Sequence, residues 1–160
     1  MPDELVDRFR TIPPATIGHL LAEGFVDTAI RPIFGPVSLV GRAVTARMPR
    51  GDSTLTRPAI RAIQPGNVLV IAQGGDTQAA NWGEMTSLGA KMRGAAGVIL
   101  DGSVTDVVEI RQHGMPTLAR AISARVPWQR TLTVFIDNLH TGSSLAFSDS
   151  SGSIMHRISR

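Results

Sequence analysis

The sequence predicts an α/β domain, and three observations carry that prediction. Strand-like and helical segments alternate through its centre. Its 160 residues and 42% apolar content suffice for one core, and it has no cysteine with which to staple a smaller fold. Val68–Ala72 and Val98–Leu100 are too apolar to keep one face wet, as expected of strands covered on both sides of a parallel sheet. Such sheets take ligands where the carboxyl ends of strands meet helix N-termini.

Taken in order, residues 1–36 read as an N-terminal helical arm. Glu4 to Arg10 is short and amphipathic, and Thr16 to Glu23 places Ile17, Leu20 and Leu21 at helical spacing before Gly24. Pro13, Pro14, Pro32 and Pro36 punctuate this arm. The core reads as residues 37–130 and opens with a long strand from Val37 to Met48, where Gly41 marks a bulge or a close approach. Pro58 is tolerated only in the first turn of a helix, so the helix ending at Ile63 is expected to start near Arg57. The turn Gln64–Asn67 leads into the strand from Val68, and Gly74-Gly75-Asp76 forms a loop feeding a helix from about Gln78 to Arg93. The strand Val98–Leu100, a turn at Asp101-Gly102, a helix from Asp106 to Gln112 and a strand around Thr117 to Ala119 complete the alternation. Residues 131–160 read as diverged or shortened C-terminal strands. Thr131–Ile136 and Leu145–Phe147 are the candidates, amid a Ser- and Gly-rich stretch from His140 to Ser153, and Met155 to Arg160 shows no pattern.

Composition excludes several function classes. Without cysteine there is no thiolate nucleophile, zinc ribbon or iron–sulfur cluster. The isoelectric point near 10.9 suggests a nucleic-acid binder, but the net charge is only +3 and there is no Tyr, while Lys91 is the only lysine. The arginines scatter from Arg8 to Arg160 without a run of three, so no nucleic-acid partner is expected. No apolar run approaches the roughly 20 residues that cross a bilayer, and Met1-Pro2-Asp3-Glu4 opens no basic-then-apolar leader. No membrane partner is expected, and a soluble, cytoplasmic protein is.

Two carboxylates stand out by position: Glu84, in the helix after the Gly loop, and Asp106, at the start of the next helix. Each has an ordinary reading, a solvated helix face for Glu84 and a helix cap for Asp106. Placed together at one sheet edge, they make an oxygen site suited to Mg²⁺ or Mn²⁺. The stretch from Gly74 to Gly83 offers backbone N–H groups that could hold a carboxylate or phosphate without a basic side chain. His19, His113, His140 and His156 lie in unrelated segments with no metal-binding spacing, and no serine sits in a nucleophile elbow. Trp82 reads as core.

The combination Gly74-Gly75-Asp76, Ala80-Asn81-Trp82-Gly83-Glu84, Arg93 to Asp106, Glu109-Ile110-Arg111 and Gly114-Met115-Pro116 resembles the RraA-like proteins. That family includes 4-hydroxy-4-methyl-2-oxoglutarate aldolases and the regulator of ribonuclease E activity. Ala15 to His19, Val40 to Thr45 and Gln64 to Val70 extend the resemblance to roughly residues 11–130. It implies a three-layer ββα swivelling-type fold, assembled as a homotrimer or trimer-based ring. It also implies a divalent-metal lyase of the class II pyruvate aldolase type, acting on a small 2-keto acid through an enolate, with oxaloacetate decarboxylation as a side activity. On that mapping Asp106 binds Mg²⁺ (or Mn²⁺), Glu84 holds a metal-bound water, and Glu84 and Asp106 are the catalytic pair. The backbone of Gly83, Glu84 and Met85 grips the substrate carboxylate, and Thr105 stands where catalytic members carry a substrate-binding arginine. The alternative is a non-catalytic regulator that binds a ribonuclease or helicase through its oligomer surface.

Two departures accompany the resemblance. Thr105 is neutral, and loss of a charge-assisted contact in a transition state costs on the order of 2–4 kcal/mol; Arg42, Arg93 and Arg111 are the candidates to replace it. The C-terminal segment retains only a faint echo of the family's strand pair at Ser144 to Gly152.

Overall fold

The structure is a computed structural model that describes residues 4–127, 144–148 and 153–156. The described chain begins with two short helices, α1 (Glu4–Phe9) and α2 (Pro14–Gly18), followed by a two-residue strand, β1 (Arg31–Pro32). The core continues as β2 (Ser38–Arg47), α3 (Thr56–Ala62), β3 (Val68–Trp82), α4 (Glu84–Met92), β4 (Gly97–Val104), α5 (Val107–Gln112) and β5 (Thr117–Ile122). The strands β6 (Ser144–Ser148) and β7 (Ser153–His156) close the described chain. The sheet order is β1-β5-β4-β3-β2-β6-β7. The four central strands pair in parallel, while β1 pairs antiparallel with β5, β6 with β2, and β7 with β6.

The apolar runs explain this order. In β3 and β4, Leu69, Ile71, Val98 and Leu100 point to the face that α3, α4 and α5 cover, where they meet Ile63, Ala90 and Ile110. Val68 and Ile99 point to the other face and pack with Ile30, Val37, Leu39 and Leu118. Side-chain direction alternates along a strand, so a run apolar at every position must be covered twice. Val98, Ile99 and Leu100 are at most 1% exposed, and each such burial is worth about 1.5–3 kcal/mol. Gly41 is the close approach its position suggested, because a Cβ there would lie 2.3 Å from the Gly66 carbonyl oxygen.

Three expectations need correction. Asp101-Gly102, expected as a turn, lies inside β4, where Asp101 pairs with Ala72 and Gly102 with Asp76. The helix expected from about Gln78 begins at Glu84, and residues 77–82 instead prolong β3. Ala80 and Trp82 pair with Ser103 and Val104 of β4, and the Ala80 N–H donates to the Arg125 carbonyl at 2.8 Å. This tertiary pairing outweighs the helical propensity of the Gln78-Ala79-Ala80 run. In the arm, α2 spans Pro14–Gly18 rather than Thr16 to Glu23, and the N–H groups of His19, Leu20 and Leu21 close its last turn. β6 contains the expected strand Leu145–Phe147, and β7 lies partly in the stretch read as patternless. The expected strand Thr131–Ile136 lies outside the described residues.

Candidate functional site

The carboxyl ends of β3 and β4 lie side by side, and the Thr105 N–H donates to the Trp82 carbonyl at 2.8 Å. One helix starts immediately beyond each strand, α4 at Glu84 and α5 at Val107. A cavity of about 500 Å³ opens at this junction. Gly83, Glu84, Met85, Thr105 and Asp106, the residues singled out from the sequence, all line it. Its second wall was not read from the sequence and comes from Ser53, Thr54, Thr56 and Arg57, with Asn81, Val126 and Pro127 adding to the lining.

Asp106 organises the floor. Its Oδ2 accepts the Glu84 N–H at 3.0 Å and its Oδ1 accepts the Thr105 hydroxyl at 3.0 Å. It has the left-handed backbone, with φ 53°, and is the only non-glycine residue at positive φ among the described residues. Left-handed backbone costs an L-residue roughly 1–2 kcal/mol, least for Asp and Asn. Asp106 precedes α5 without capping it through its side chain, so its carboxylate serves α4 instead. Gly83 makes room for this arrangement, since a Cβ there would fall 2.4 Å from Asp106 Oδ2 and 2.8 Å from Thr105 Cγ2.

The Glu84 side chain takes a different partner. Its Oε1 lies 3.0 Å from Nε2 of His113, at the end of α5. Glu84 and Asp106 thus share the cavity, but they are linked through the Glu84 backbone rather than carboxylate to carboxylate. Nothing in the sequence paired positions 84 and 113, which join only because α4 packs on α5.

The amides in the first turn of α4 are partly committed. The Gly83 N–H donates to Thr86 Oγ1 at 2.9 Å and that of Glu84 to Asp106. The first bond of the helix runs from the Ser87 N–H to the Gly83 carbonyl, which leaves Met85 and Thr86 without an intrahelical acceptor. These two N–H groups, with the helix dipole behind them, favour an anion. The earlier candidate, Gly74-Gly75-Asp76, is a bulge inside β3, and its polar groups are spent within the protein. Arg50 donates to the Gly74 carbonyl, the Gly75 N–H donates to Asp101, and Asp76 accepts the N–H groups of Gly51, Gln78 and Ala79. Burial disfavours the ionised Asp76, yet those three N–H groups and the nearby Arg50 outweigh it and hold its carboxyl below the usual carboxylate value. Arg120 braces the same bulge by binding Asp27 and Asp101, which together hold its guanidinium firmly protonated.

The donor set suits a hard divalent cation. No group of three or more His, Asp or Glu side chains converges among the described residues, but Mg²⁺ commonly uses one or two protein carboxylates and fills the rest of its sphere with water and substrate. Asp106 has lone pairs to spare on both oxygens. Asn81, 6% exposed, donates from Nδ2 to the Asp52 carbonyl at 2.7 Å, while its Oδ1 has no hydrogen-bond partner. An unpaired buried acceptor costs about 1–3 kcal/mol, and this oxygen is closed off beneath the lining rather than open to the cavity.

Residues 7–144 match the RraA-like family described as Aldolase/RraA. A candidate 4-hydroxy-4-methyl-2-oxoglutarate aldolase from Halalkalibacterium halodurans is 30% identical over 119 residues, which cover 73% of this chain and 56% of that protein. Another candidate aldolase of that name, from Burkholderia multivorans, is 33% identical over 97 residues, covering 61% of this chain and 58% of its own. The chain thus spans little more than half the length of these relatives. Among solved structures, the RNA-processing inhibitor RraA from Thermus thermophilis superposes with a TM-score of 0.73 at 25% identity, covering 91% of this chain and 92% of its own. An unusual member of the RNase ES inhibitor RraA family from Streptomyces coelicolor superposes at 0.75 with 21% identity, over 98% of this chain and 87% of its own, and shows the shared fold. With the α/β architecture and the matched family model in agreement, this chain belongs to the RraA-like family.

Proposed function

We propose that the protein is a divalent-cation-dependent carbon–carbon lyase acting on a small 2-keto acid, of the pyruvate aldolase or oxaloacetate decarboxylase type. One observation carries this reading: the Asp106 carboxylate stands at the floor of an open cavity, fixed by the amide that starts α4, beside N–H groups with no intrahelical acceptor. The aldolase names of the relatives point the same way.

In this reading Asp106 holds Mg²⁺ or Mn²⁺. The bound cation would supply a Lewis acid for the negative charge that gathers on the keto oxygen as the carbon–carbon bond breaks. The N–H groups of Met85 and Thr86 receive the substrate carboxylate and orient the keto acid. Gly83 contributes by carrying no side chain, which leaves room for the Asp106 carboxylate against the start of α4. The Thr105 hydroxyl keeps the Asp106 carboxylate in one rotamer. Glu84, held at Oε1 by His113, keeps Oε2 for a water that returns a proton to the product carbon. A cytoplasmic homotrimer or trimer-based ring is the setting that accompanies this proposal.

The test is the decarboxylation of oxaloacetate by purified protein with Mg²⁺. Wild type is expected to accelerate it, and Asp106→Asn, which suits the left-handed backbone, is expected to lose about 10²–10³ in rate while melting within a few degrees of wild type. Equal rates in the two proteins would remove the lyase reading.

A second reading, a regulator of an RNA-processing enzyme, is supported by the superposition over 91% of this chain and 92% of the Thermus inhibitor. Neutral Thr105 agrees with it. Stable binding of a purified ribonuclease, unaffected by Asp106→Asn, would support this reading.

A further inference from the structure

We infer that Arg57 is the specificity-determining residue of this cavity, the cation that receives a second carboxylate on the substrate. The inference rests on the lyase reading. Arg57 is the only basic residue on the lining among the described residues. The acidic lining residues are Glu84 and Asp106. Arg57 is exposed and makes no hydrogen bond or ion pair with any described residue. The other candidate arginines are placed elsewhere. Arg93 donates to the carbonyls of Arg61 and Ile63, Arg42 lies in β2 opposite Ser144, and neither they nor Arg111 line the cavity.

The mount of Arg57 is firm although its side chain has no partner among the described residues. Thr56 before it and Ala59 after it are each 3% exposed, and Pro58 restricts the first turn of α3. The guanidinium is therefore a planar, permanently charged fork on a fixed base, a geometry that matches a carboxylate through two parallel hydrogen bonds. The α4 amides can satisfy one carboxylate, and Thr105 gives its hydroxyl to Asp106. A substrate with one carboxylate leaves Arg57 in water, whereas a 2-keto acid with a second carboxylate engages it. The cavity is accordingly selective for dicarboxylic over monocarboxylic 2-keto acids.

The test is isothermal titration, with Mg²⁺ present, of 2-oxoglutarate, which has a second carboxylate, and of pyruvate, which has none. Wild type should bind 2-oxoglutarate more tightly. Arg57→Ala should weaken 2-oxoglutarate at least tenfold and pyruvate by less than twofold. Arg57→Lys should retain part of the preference, and Thr105→Arg added to Arg57→Ala should restore it, because position 105 borders the same cavity. Arg57 has no described partner, so its variants should melt like wild type. If Arg57→Ala keeps the wild-type preference while Asp106→Asn loses binding of both acids, the assignment of Arg57 is overturned and the lyase reading stands. If wild type binds neither acid, both are overturned.

Discussion

The backbone N–H of Glu84 and the carboxylate of Asp106 are joined by a hydrogen bond of 3.0 Å. Through it the start of α4 is tied to the turn between β4 and α5, and the two helix N-termini border one cavity. Asp106 is held in a left-handed backbone at this point, and strain of that kind concentrates where structure serves binding.

The space above this bond is reserved by Gly83, and its loss gives the first prediction. Gly83→Ala places a methyl 2.4 Å from Asp106 Oδ2, so the carboxylate must leave the Glu84 amide. We expect a stability loss of about 1–3 kcal/mol, the usual cost of overpacking, and loss of most Mg²⁺-dependent turnover. Urea unfolding and the oxaloacetate assay check this. A variant with full activity would show that the Asp106 position is not critical.

The acid response follows from Asp76, whose folded pKa lies below the ordinary 3.8. A carboxylate with a depressed folded pKa contributes its stability in full above the unfolded value, and that contribution disappears as pH falls through the folded one. Asp76→Ala removes the acceptor of three N–H groups in the β3 bulge and should cost about 2–3 kcal/mol at pH 7. The gap between wild type and variant should narrow below about pH 4. Chemical unfolding measured from pH 7 to pH 3 checks this, and a gap that stays constant throughout would contradict it.

How much of this was legible in the sequence depends on the range of the forces involved. Val98-Ile99-Leu100 declares a doubly covered strand by composition alone, and the parallel centre of the sheet follows from it. Residues 78–82 read as the start of a helix because their strand pairing depends on Ser103, Val104 and the Arg125 carbonyl, which no local pattern announces. The same holds at the site. Gly83, Glu84, Met85, Thr105 and Asp106 lie on two short segments with a recognisable pattern, and the structure brings them to one cavity. Arg57 reaches that cavity from a segment with no motif, and Asn81 lies inside the Ala80–Glu84 stretch, where the pattern gave its side chain no role. Asn81 is placed by its bond to the Asp52 carbonyl and Arg57 by the packing of α3 against α4. The Gly74-Gly75 loop carried the composition of an anion site, but Arg50, Asp101 and Asp76 consume its polar capacity.

The most direct measurement is a crystal structure of the protein soaked with Mn²⁺ and oxalate, a two-carboxylate stand-in for a reacting keto acid. The lyase account expects an anomalous peak at coordination distance from Asp106, with oxalate between that ion and the N–H groups of Met85 and Thr86. Mn²⁺ bound elsewhere, or an Asp106 that keeps both oxygens turned from the ion while oxalate fails to enter the cavity, would contradict it.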